Sequence, residues 1–237
     1  MSADENISTE TISSSDNEEL ASQENPSPLD MAKAGNPDTV AWLRIPNTDI
    51  DNPIMQTSNN EDYLRRNEND KYDIWGCYFA DYYSNLTSKD NLLQNTVVYG
   101  HSESSENPDG KRFTQLFHYL DLDFLKANPN IYLTIAEDEL TFQIFGVFFT
   151  DTDFYYIDPN PSDQGFDSFM AEVNAKNEFV FDGISVSEQD KLLTLSACAY
   201  RYDTQKTGDH RLVVMAKLVE DDTQLPNVTA NPNPKRP

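Results

Sequence analysis

Eight short runs of β-forming residues, separated by turn-rich segments, are the feature that most constrains how this chain folds. The runs are Val40–Ile45, Ile50–Met55, Cys77–Phe79, Thr96–Tyr99, Ile131–Ile135, Thr141–Phe149, Leu192–Cys198 and Arg211–Leu218. Many short strands joined by loops favour a sheet that closes on itself, because closure leaves no unpaired edge. We therefore predict a mainly β fold built as a closed or nearly closed eight-stranded barrel.

Two helical segments interrupt the β-type runs. The first shows apolar residues at i, i+3, i+4 and i+7, the spacing of one helix face, at Phe113, Leu116, Phe117 and Leu120. A second helix is predicted over 162–177, with a buried face formed by Phe166, Phe169, Met170 and Val173. This second helix precedes the run Leu192–Cys198.

Polar tails flank the region that contains the β-type runs. Residues 1–34 carry eight acidic side chains and one basic side chain, with little apolar surface to offset the entropy of ordering. Residues 220–237 are rich in proline and asparagine. We predict a disordered acidic stalk at 1–34, one folded domain at 35–219 and a disordered tail at 220–237.

Charge and hydropathy exclude several classes of function. The chain has 41 acidic and 17 basic side chains, a formal net charge of −24. Such a chain repels phosphate backbones and anionic lipid headgroups, so no nucleic-acid partner is expected. No run of 18 apolar residues occurs and the N-terminus lacks the pattern of a signal peptide, so we expect no membrane span in this sequence.

Cys198 and Arg211 are the first candidates for chemistry. Only two cysteines occur, Cys77 and Cys198, so a disulfide framework is not expected, although a single bridge between them stays open. Cys198 ends one predicted strand and Arg211 begins the next, so both reach the same rim if these strands pair. A guanidinium there favours a reactive thiolate and can donate to an oxyanion. The alternative is a packed thiol and a solvated cation.

His101 is the third candidate. It directly follows the apolar segment 94–100, so a strand delivers it to a polar loop. An imidazole with an ordinary pKa of about 6.5 suits a general acid for an amine leaving group. The alternative is a surface histidine without a role. His118 and His210 have weaker contexts, but His210 is adjacent to Arg211 and stays open as an alternative.

Three motifs, in this order along the chain, resemble those of the sortase family. They are Tyr-Gly-His at 99–101, Thr-Leu-Ser-Ala-Cys at 194–198 and Arg-Leu-Val-Val-Met-Ala-Lys-Leu at 211–218. Further likeness occurs at 41–48, 53–56, 60–64 and 76–82, so the resemblance covers nearly all of 35–219. The Asn-X-X-Tyr-Leu element, the Gly-X-X-Phe-X-Asp-Tyr stretch and the long insertion at 158–183 are similar to class B members.

The resemblance implies a cysteine transpeptidase on an eight-stranded barrel, with N-terminal helices and an inserted helix before the strand that carries the catalytic cysteine. In this reading Cys198 attacks the carbonyl of a threonine in a cell-wall sorting signal and forms a thioacyl enzyme. Arg211 stabilises the oxyanion and His101 protonates the departing amine. The resemblance also implies substrate contacts at Asn60, Leu64, Tyr99 and Ser196.

The same resemblance implies the partners and the location. The partners are surface proteins that bear a sorting signal, and either a peptidoglycan precursor (lipid II) or a pilin lysine that supplies the acceptor amine. No metal or organic cofactor is expected. The location is the extracellular face of a Gram-positive cell membrane, reached through an N-terminal anchor that is missing from this chain.

Two positions depart from the family pattern. Ala197 stands where the family usually has threonine, and Ala199 stands where class B members often have an acidic residue. Neither change touches the three candidate catalytic side chains, so we expect them to affect substrate fit more than activity. Two other functions stay open, a cysteine hydrolase on the same scaffold and a non-catalytic surface-binding module. A pilin-polymerising or haem-uptake role is also open.

Overall fold

The computed structural model describes residues 25–136, 138–203, 208–219 and 229–235. The strands are β1 (Thr39–Arg44), β2 (Asp51–Met55), β3 (Tyr78–Ala80), β4 (Asn95–Gly100), β5 (Asn130–Ile135), β6 (Asp138–Thr150), β7 (Phe179–Asp182), β8 (Leu192–Cys198), β9 (Arg211–Leu218) and β10 (Thr229–Pro232). The α-helices are α1 (Pro28–Gly35), α2 (Leu122–Ala127) and α3 (Phe166–Lys176). Short 3-10 segments cover Asp62–Leu64, Lys89–Asn91, Arg112–Leu120 and Pro161–Gln164. Within these residues, no helix has the length and apolarity that crossing a membrane requires.

Strands β1 to β6, β8 and β9 close a barrel in the order β1-β2-β3-β4-β8-β9-β6-β5. The pairs β2–β3 and β4–β8 are parallel, and the other pairs are antiparallel. These are the eight strands predicted from the sequence, with ends that differ by a few residues. The mainly β, eight-stranded barrel is therefore confirmed.

Strand β8 illustrates how side-chain alternation builds the two sides of the barrel wall. Leu193, Leu195 and Ala197 belong to the main apolar core, whereas Leu192 belongs to a second apolar cluster. Each fully buried leucine contributes roughly 1.5–3 kcal/mol of hydrophobic stabilisation. Ser196 and Cys198 therefore lie on the face opposite the main core, as the alternation predicts.

Helix α3 covers the second apolar cluster. Its Phe166, Phe169 and Val173 are buried, and they pack with Phe148 of β6 and Met215 of β9. The predicted helix at 162–177 is confirmed as the 3-10 segment Pro161–Gln164 followed by α3, both located before β8. The predicted stripe near Phe113 lies on the 3-10 segment Arg112–Leu120, and its first three apolar residues are buried.

Both ends of the folded region differ from the prediction. Residues 28–34, predicted as part of the stalk, belong to α1, because Ser27 and Asp30 make a capping box and Leu29 is buried. The segment Thr229–Pro232, predicted as part of the disordered tail, forms β10, which pairs with β7 and buries Ala230. Amino-acid composition does not reveal a helix cap such as that of α1 or a strand pairing such as that of β10 with β7. Residues 1–24, 220–228 and 236–237 of the predicted tails lie outside the described residues.

Candidate active site

Cys198 and Arg211 lie directly opposite each other at one rim of the barrel. Strands β8 and β9 pair antiparallel, and the ladder places Cys198 across from Arg211. The ladder continues with a hydrogen bond of 2.9 Å from the Ala199 N–H to the His210 carbonyl. Cys198 is a free, half-buried thiol. The predicted meeting of these two residues at one rim is confirmed.

His101 reaches the same rim because β4 runs parallel to β8. Tyr99 pairs with Ser196, and Gly100 pairs with Ala197, so His101 and Cys198 both follow the end of this ladder. Gly100 has no room for a side chain, since an added Cβ would lie 2.7 Å from the ring of Phe113. A glycine is therefore required where the strand passes this ring to deliver the imidazole.

One cavity of about 290 Å³ contains every residue that was predicted to take part in catalysis or substrate binding. It is lined by Asn60, Leu64, Phe79, Tyr99, Gly100, His101, Ser196, Cys198 and Arg211. The thiol, the imidazole and the guanidinium thus share a cleft with apolar and polar walls. Of its lining residues, Phe79 and Gly100 are the two that sequence reasoning had not assigned to the site.

The imidazole of His101 is held from the loop that follows β2. Its Nε2 lies 2.8 Å from the carbonyl oxygen of Leu64 and 3.0 Å from Nη1 of Arg65. Burial lowers the pKa of His101, and the nearby positive charges of Arg65 and Arg112 lower it further. The hydrogen bond to the Leu64 carbonyl opposes this effect by raising the pKa. Above that lowered pKa the imidazole is neutral.

Arg211 is fixed by carbonyls of its own loop. Its Nη1 donates to the carbonyl oxygens of Gly208 at 2.6 Å and His210 at 2.9 Å. The planar, permanently charged group thus lines the same cavity as Cys198, and it carries further N–H groups that can donate to an oxyanion.

The floor of the cavity is fixed by two buried side chains that sequence reasoning missed. The hydroxyl of Tyr156 lies 2.9 Å from the hydroxyl of Ser196. The carboxylate of Asp81 accepts hydrogen bonds of 2.8 Å from both Asn60 Nδ2 and the Tyr99 hydroxyl. Burial and the negative charge of Asp81 raise the pKa of Tyr99, which keeps its hydroxyl protonated as a donor. Both contacts orient pocket side chains.

The loops that follow β4 and β8 are tied together. The hydroxyl of Ser102 donates to the carbonyl oxygen of Cys198. The buried carboxylate of Glu106 accepts from the N–H groups of Tyr200 at 2.5 Å and Arg201 at 2.9 Å. It also forms an ion pair of 2.6 Å with the Arg201 guanidinium. The loop that follows His101 and the loop that follows Cys198 are therefore joined by hydrogen bonds.

The other sequence candidates lie apart from this cavity. Cys77 is buried in an apolar cluster, and burial raises its thiol pKa well above the ordinary value. The bridge between Cys77 and Cys198 is not formed. His118 stacks on Phe124 with ring centroids 4.8 Å apart, and His210 is not among the residues that line the cavity.

The two departures from the family pattern are also outside the cavity lining. Ala197 and Ala199 are each 1 % exposed and pack in the main core. Neither residue is among those that line the cavity. Ala197, which lacks the hydroxyl, and Ala199, which lacks the charge, thus face the core. The expected effect of these two residues on substrate fit stays a prediction. In the part of the chain that is described, no group of three or more His, Cys, Asp or Glu side chains could hold a metal ion.

A closed barrel with a free thiol in a rim cleft, opposite an arginine and beside a histidine, defines a cysteine enzyme of the acyl-transfer class. The sortase domain model matches residues 43–219. The chain belongs to the sortase family, and within it to class B. It is accordingly a cysteine transpeptidase, and sortases are enzymes of the Gram-positive cell surface that anchor proteins to the cell wall.

Three relatives illustrate the likeness. The chain is 35 % identical over 185 residues to sortase B of Listeria monocytogenes, a match that covers 78 % of this chain and 71 % of the relative. Its fold is similar to that of the Staphylococcus aureus sortase B-substrate complex, with a TM-score of 0.69 and 27 % identity over 81 % of this chain and 84 % of the other. It is also similar to the Clostridium perfringens sortase B structure, with a TM-score of 0.68 and 31 % identity over 80 % and 98 %.

Proposed function

We propose that this transpeptidase cleaves a C-terminal cell-wall sorting signal after a threonine and transfers the protein to an amine of a peptidoglycan precursor. The observation that carries the proposal is the pairing of Cys198 with Arg211 across β8 and β9, with His101 in the same cavity. Acyl transfer needs a nucleophile, a donor to the oxyanion and a group that moves protons. These three side chains have the chemistry for those roles.

In the first half-reaction the sulfur of Cys198 attacks the threonine carbonyl. The thiol proton goes to His101, and the carbonyl π electrons move onto oxygen, where the Arg211 guanidinium donates to the negative charge. The tetrahedral intermediate then collapses and the C–N bond breaks. His101 gives its proton to the departing amine, and a thioacyl enzyme remains.

In the second half-reaction an amine resolves the thioester. Its nitrogen attacks the acyl carbon, and His101 accepts the proton that the amine loses. The C–S bond then breaks, and the departing sulfur takes this proton back from His101 to regenerate Cys198. The products are a new amide and the free enzyme, so no oxidant or reductant is required. No residue role here depends on a metal or an organic cofactor.

For substrate contacts we propose Asn60, Leu64, Tyr99 and Ser196. All four line the cavity with the catalytic candidates. Leu64 is 37 % exposed and supplies an apolar wall, while Ser196 and Tyr99 supply hydroxyls. The sortase B of Staphylococcus aureus, which has a similar fold, forms a complex with its substrate, and this supports a substrate-binding role for the cleft.

Product analysis tests the function. The enzyme is incubated with a small library of five-residue sorting signals in flanking sequence, with and without a peptidoglycan-type amine, and products are identified by mass spectrometry. The proposal predicts cleavage after threonine and an amide product that grows with amine concentration. Cleavage with water as the only acceptor would instead establish the hydrolase, and a preference for a pilin lysine would establish the pilin-polymerising role. Binding of the signals without cleavage would leave the surface-binding module.

The proposed location is the outer face of a Gram-positive cell membrane, where the sorting signal and the precursor meet. Membrane attachment is proposed through an N-terminal anchor, as the resemblance to the family implies. Fractionation of cells that produce the protein from its native gene tests both points. Recovery in the membrane fraction, with Cys198 accessible to an impermeant thiol reagent added outside the cells, is expected. Recovery in the cytosol would contradict the proposed location.

A further inference from the structure

Arg65 contacts His101 but belongs to none of the three catalytic motifs. We propose that the Leu64 carbonyl holds the imidazole of His101 as the neutral tautomer with hydrogen on Nε2, and that the adjacent guanidinium of Arg65 disfavours its protonation. The effect on turnover rests on the proposed function, whereas the effect on the imidazole itself does not.

The tautomer follows from the donors and acceptors around Nε2. The Leu64 carbonyl oxygen can only accept, and it lies 2.8 Å from Nε2, so Nε2 carries a hydrogen and donates it. If Nε2 carried no hydrogen, its lone pair would face a lone pair of the Leu64 carbonyl oxygen at this distance, and the two would repel each other. The nitrogen that gains and loses a proton is therefore Nδ1.

The guanidinium of Arg65 contacts three groups. Its Nη1, which has two hydrogens, lies 2.6 Å from the carbonyl oxygen of Ile74, 3.3 Å from that of Leu64 and 3.0 Å from Nε2 of His101. Because Nε2 donates to the Leu64 carbonyl, its contact with Arg65 is a contact between two donors, one of which is permanently charged. The loop holds this geometry, because the Arg65 carbonyl also accepts a hydrogen bond of 3.0 Å from the Asp73 N–H.

The other charged groups near His101 are paired or line the same cavity. Arg112, which also acts on His101, forms an ion pair with Glu68. The guanidinium of Arg65 forms no ion pair with a carboxylate among the described residues, and it lies 3.0 Å from Nε2 of His101. Arg211 and Cys198 line the same cavity as the imidazole. Within the described part of the chain, Arg65 is thus a cation that contacts the imidazole without a carboxylate partner.

The charge of Arg65 lowers the population of the protonated His101 that the catalytic cycle requires. When the Cys198 thiol gives its proton to Nδ1, the imidazolium that forms lies against the Arg65 charge, which disfavours it. The reactive thiolate and imidazolium are therefore less populated than they would be without Arg65. Removal of this charge should increase that population and with it the rate, unlike the loss expected when a purely structural residue is removed.

A nitrogen-15 NMR titration of the free enzyme tests the proposal directly. The His101 signals are identified by their absence in the His101→Gln variant. In the wild type we expect the nitrogen shifts of a neutral imidazole with hydrogen on Nε2, and in Arg65→Gln a titration midpoint at higher pH. The matched control is Arg66→Gln, which removes the same charge from an exposed neighbour that pairs with Asp70. A tautomer with hydrogen on Nδ1, or equal midpoints in the two variants, would overturn the proposal.

Steady-state kinetics of the same variants provide a second test. Arg65→Gln should raise kcat/KM at the pH optimum about threefold and move the acid limb of the pH profile to higher pH, whereas Arg66→Gln leaves both unchanged. A lower kcat/KM with an unmoved acid limb, at an unchanged melting temperature, would contradict the proposed effect of Arg65. If no variant turns over any signal peptide while the NMR midpoint still moves, the proposed function fails and the effect of Arg65 on the protonation of His101 stands.

Discussion

The two halves of the candidate site are held by different kinds of structure. Cys198 and Arg211 are fixed by the backbone ladder between β8 and β9, which places them directly opposite each other. His101 also follows a strand, but its imidazole is held by the Leu64 carbonyl and contacted by the Arg65 guanidinium, both from a loop. We therefore call Cys198 and Arg211 the strand-held half of the site and His101 the loop-held half.

This difference separates what is rigid from what is adjustable. The strand-held half moves only if several ladder hydrogen bonds break together, so its geometry tolerates changes elsewhere. The loop-held half depends on a few side-chain contacts, and a single substitution can shift the orientation or the pKa of the imidazole. The position of the nucleophile and the oxyanion donor is thus robust, and the proton-transfer step is the part that neighbours tune.

The largest expected effect breaks the strand-held half at its nucleophile. Cys198→Ala should lower kcat by more than about 10³-fold, because no other described group in the cavity can form the thioester. Its melting temperature should stay close to that of the wild type, since the thiol is half-buried at the rim. The matched control Cys77→Ala removes a buried thiol from an apolar cluster and should lower stability while keeping activity. Turnover by Cys198→Ala at the wild-type rate would end the assignment.

The next effect concerns the other member of the strand-held half. Arg211→Lys should lower kcat by about 10²-fold, because an ammonium group keeps the charge but lacks the planar fork that holds the loop carbonyls and donates to an oxyanion. The Michaelis constant should change much less than kcat. Steady-state kinetics with a signal peptide measure both values. An effect confined to the Michaelis constant would show that Arg211 binds substrate and does not stabilise the transition state.

A smaller effect is expected where the loop after β4 meets the loop after β8. Glu106→Ala should lower the free energy of unfolding by about 1–3 kcal/mol, because the Tyr200 and Arg201 N–H groups lose a buried acceptor. Displacement of this loop should lower kcat by about tenfold, within the range seen when a reacting group is misplaced. Glu106→Gln keeps an acceptor oxygen and should recover part of both losses.

The control for Glu106 is Glu139→Ala. Glu139 pairs with Arg44 on the surface, where side chains are 51 % and 39 % exposed, and such pairs contribute about 0–1 kcal/mol. Chemical denaturation and steady-state kinetics on the three variants complete the set. Equal effects of Glu106→Ala and Glu139→Ala would show that the tie between the two loops contributes nothing to the site.

The smallest effect on activity is expected far from the rim. We propose that the folded unit extends beyond 35–219 at both ends, to include α1 and β10. Deletion of residues 229–237 removes the strand that pairs with β7 and exposes the site of buried Ala230. The melting temperature should fall by about 2–4 °C for each kcal/mol lost, with kcat/KM unchanged. Thermal unfolding and kinetics of the shortened chain check this, and a large loss of activity would show that β10 supports the site.

The strand-held half could be predicted from the sequence because its contacts are local or follow from strand pairing. Cys198 ends a run of alternating residues and Arg211 begins the next run, so antiparallel pairing of neighbours places them together. The position of His101 followed in the same way from the run that precedes it. The barrel itself was predictable from the number and length of the runs.

The remaining contacts could not be predicted because they join distant positions through side chains. Glu106 and Arg201 are 95 positions apart, and Tyr156 and Ser196 are 40 positions apart. Nothing in the local pattern around Glu106 separates a buried, hydrogen-bonded carboxylate from the many solvated ones in an acidic chain. Asp81 belongs to the Gly-X-X-Phe-X-Asp-Tyr stretch, but that pattern does not reveal its hydrogen bonds to Asn60 and Tyr99. Strand β10 was missed because proline disfavours strands in general, although it is tolerated at an edge such as Pro232.

Transpeptidation requires Cys198 to carry the acyl group. To measure this directly, the enzyme is mixed with a cleavable signal peptide in the absence of amine, quenched in acid within the first turnover, and analysed by intact mass. We expect a mass increase equal to the fragment that ends in threonine, mapped by peptide digestion to Cys198, present in Cys77→Ala and absent in Cys198→Ala. Cleavage at the wild-type rate without this adduct, or with the adduct on another residue, would contradict the role of Cys198 as the nucleophile.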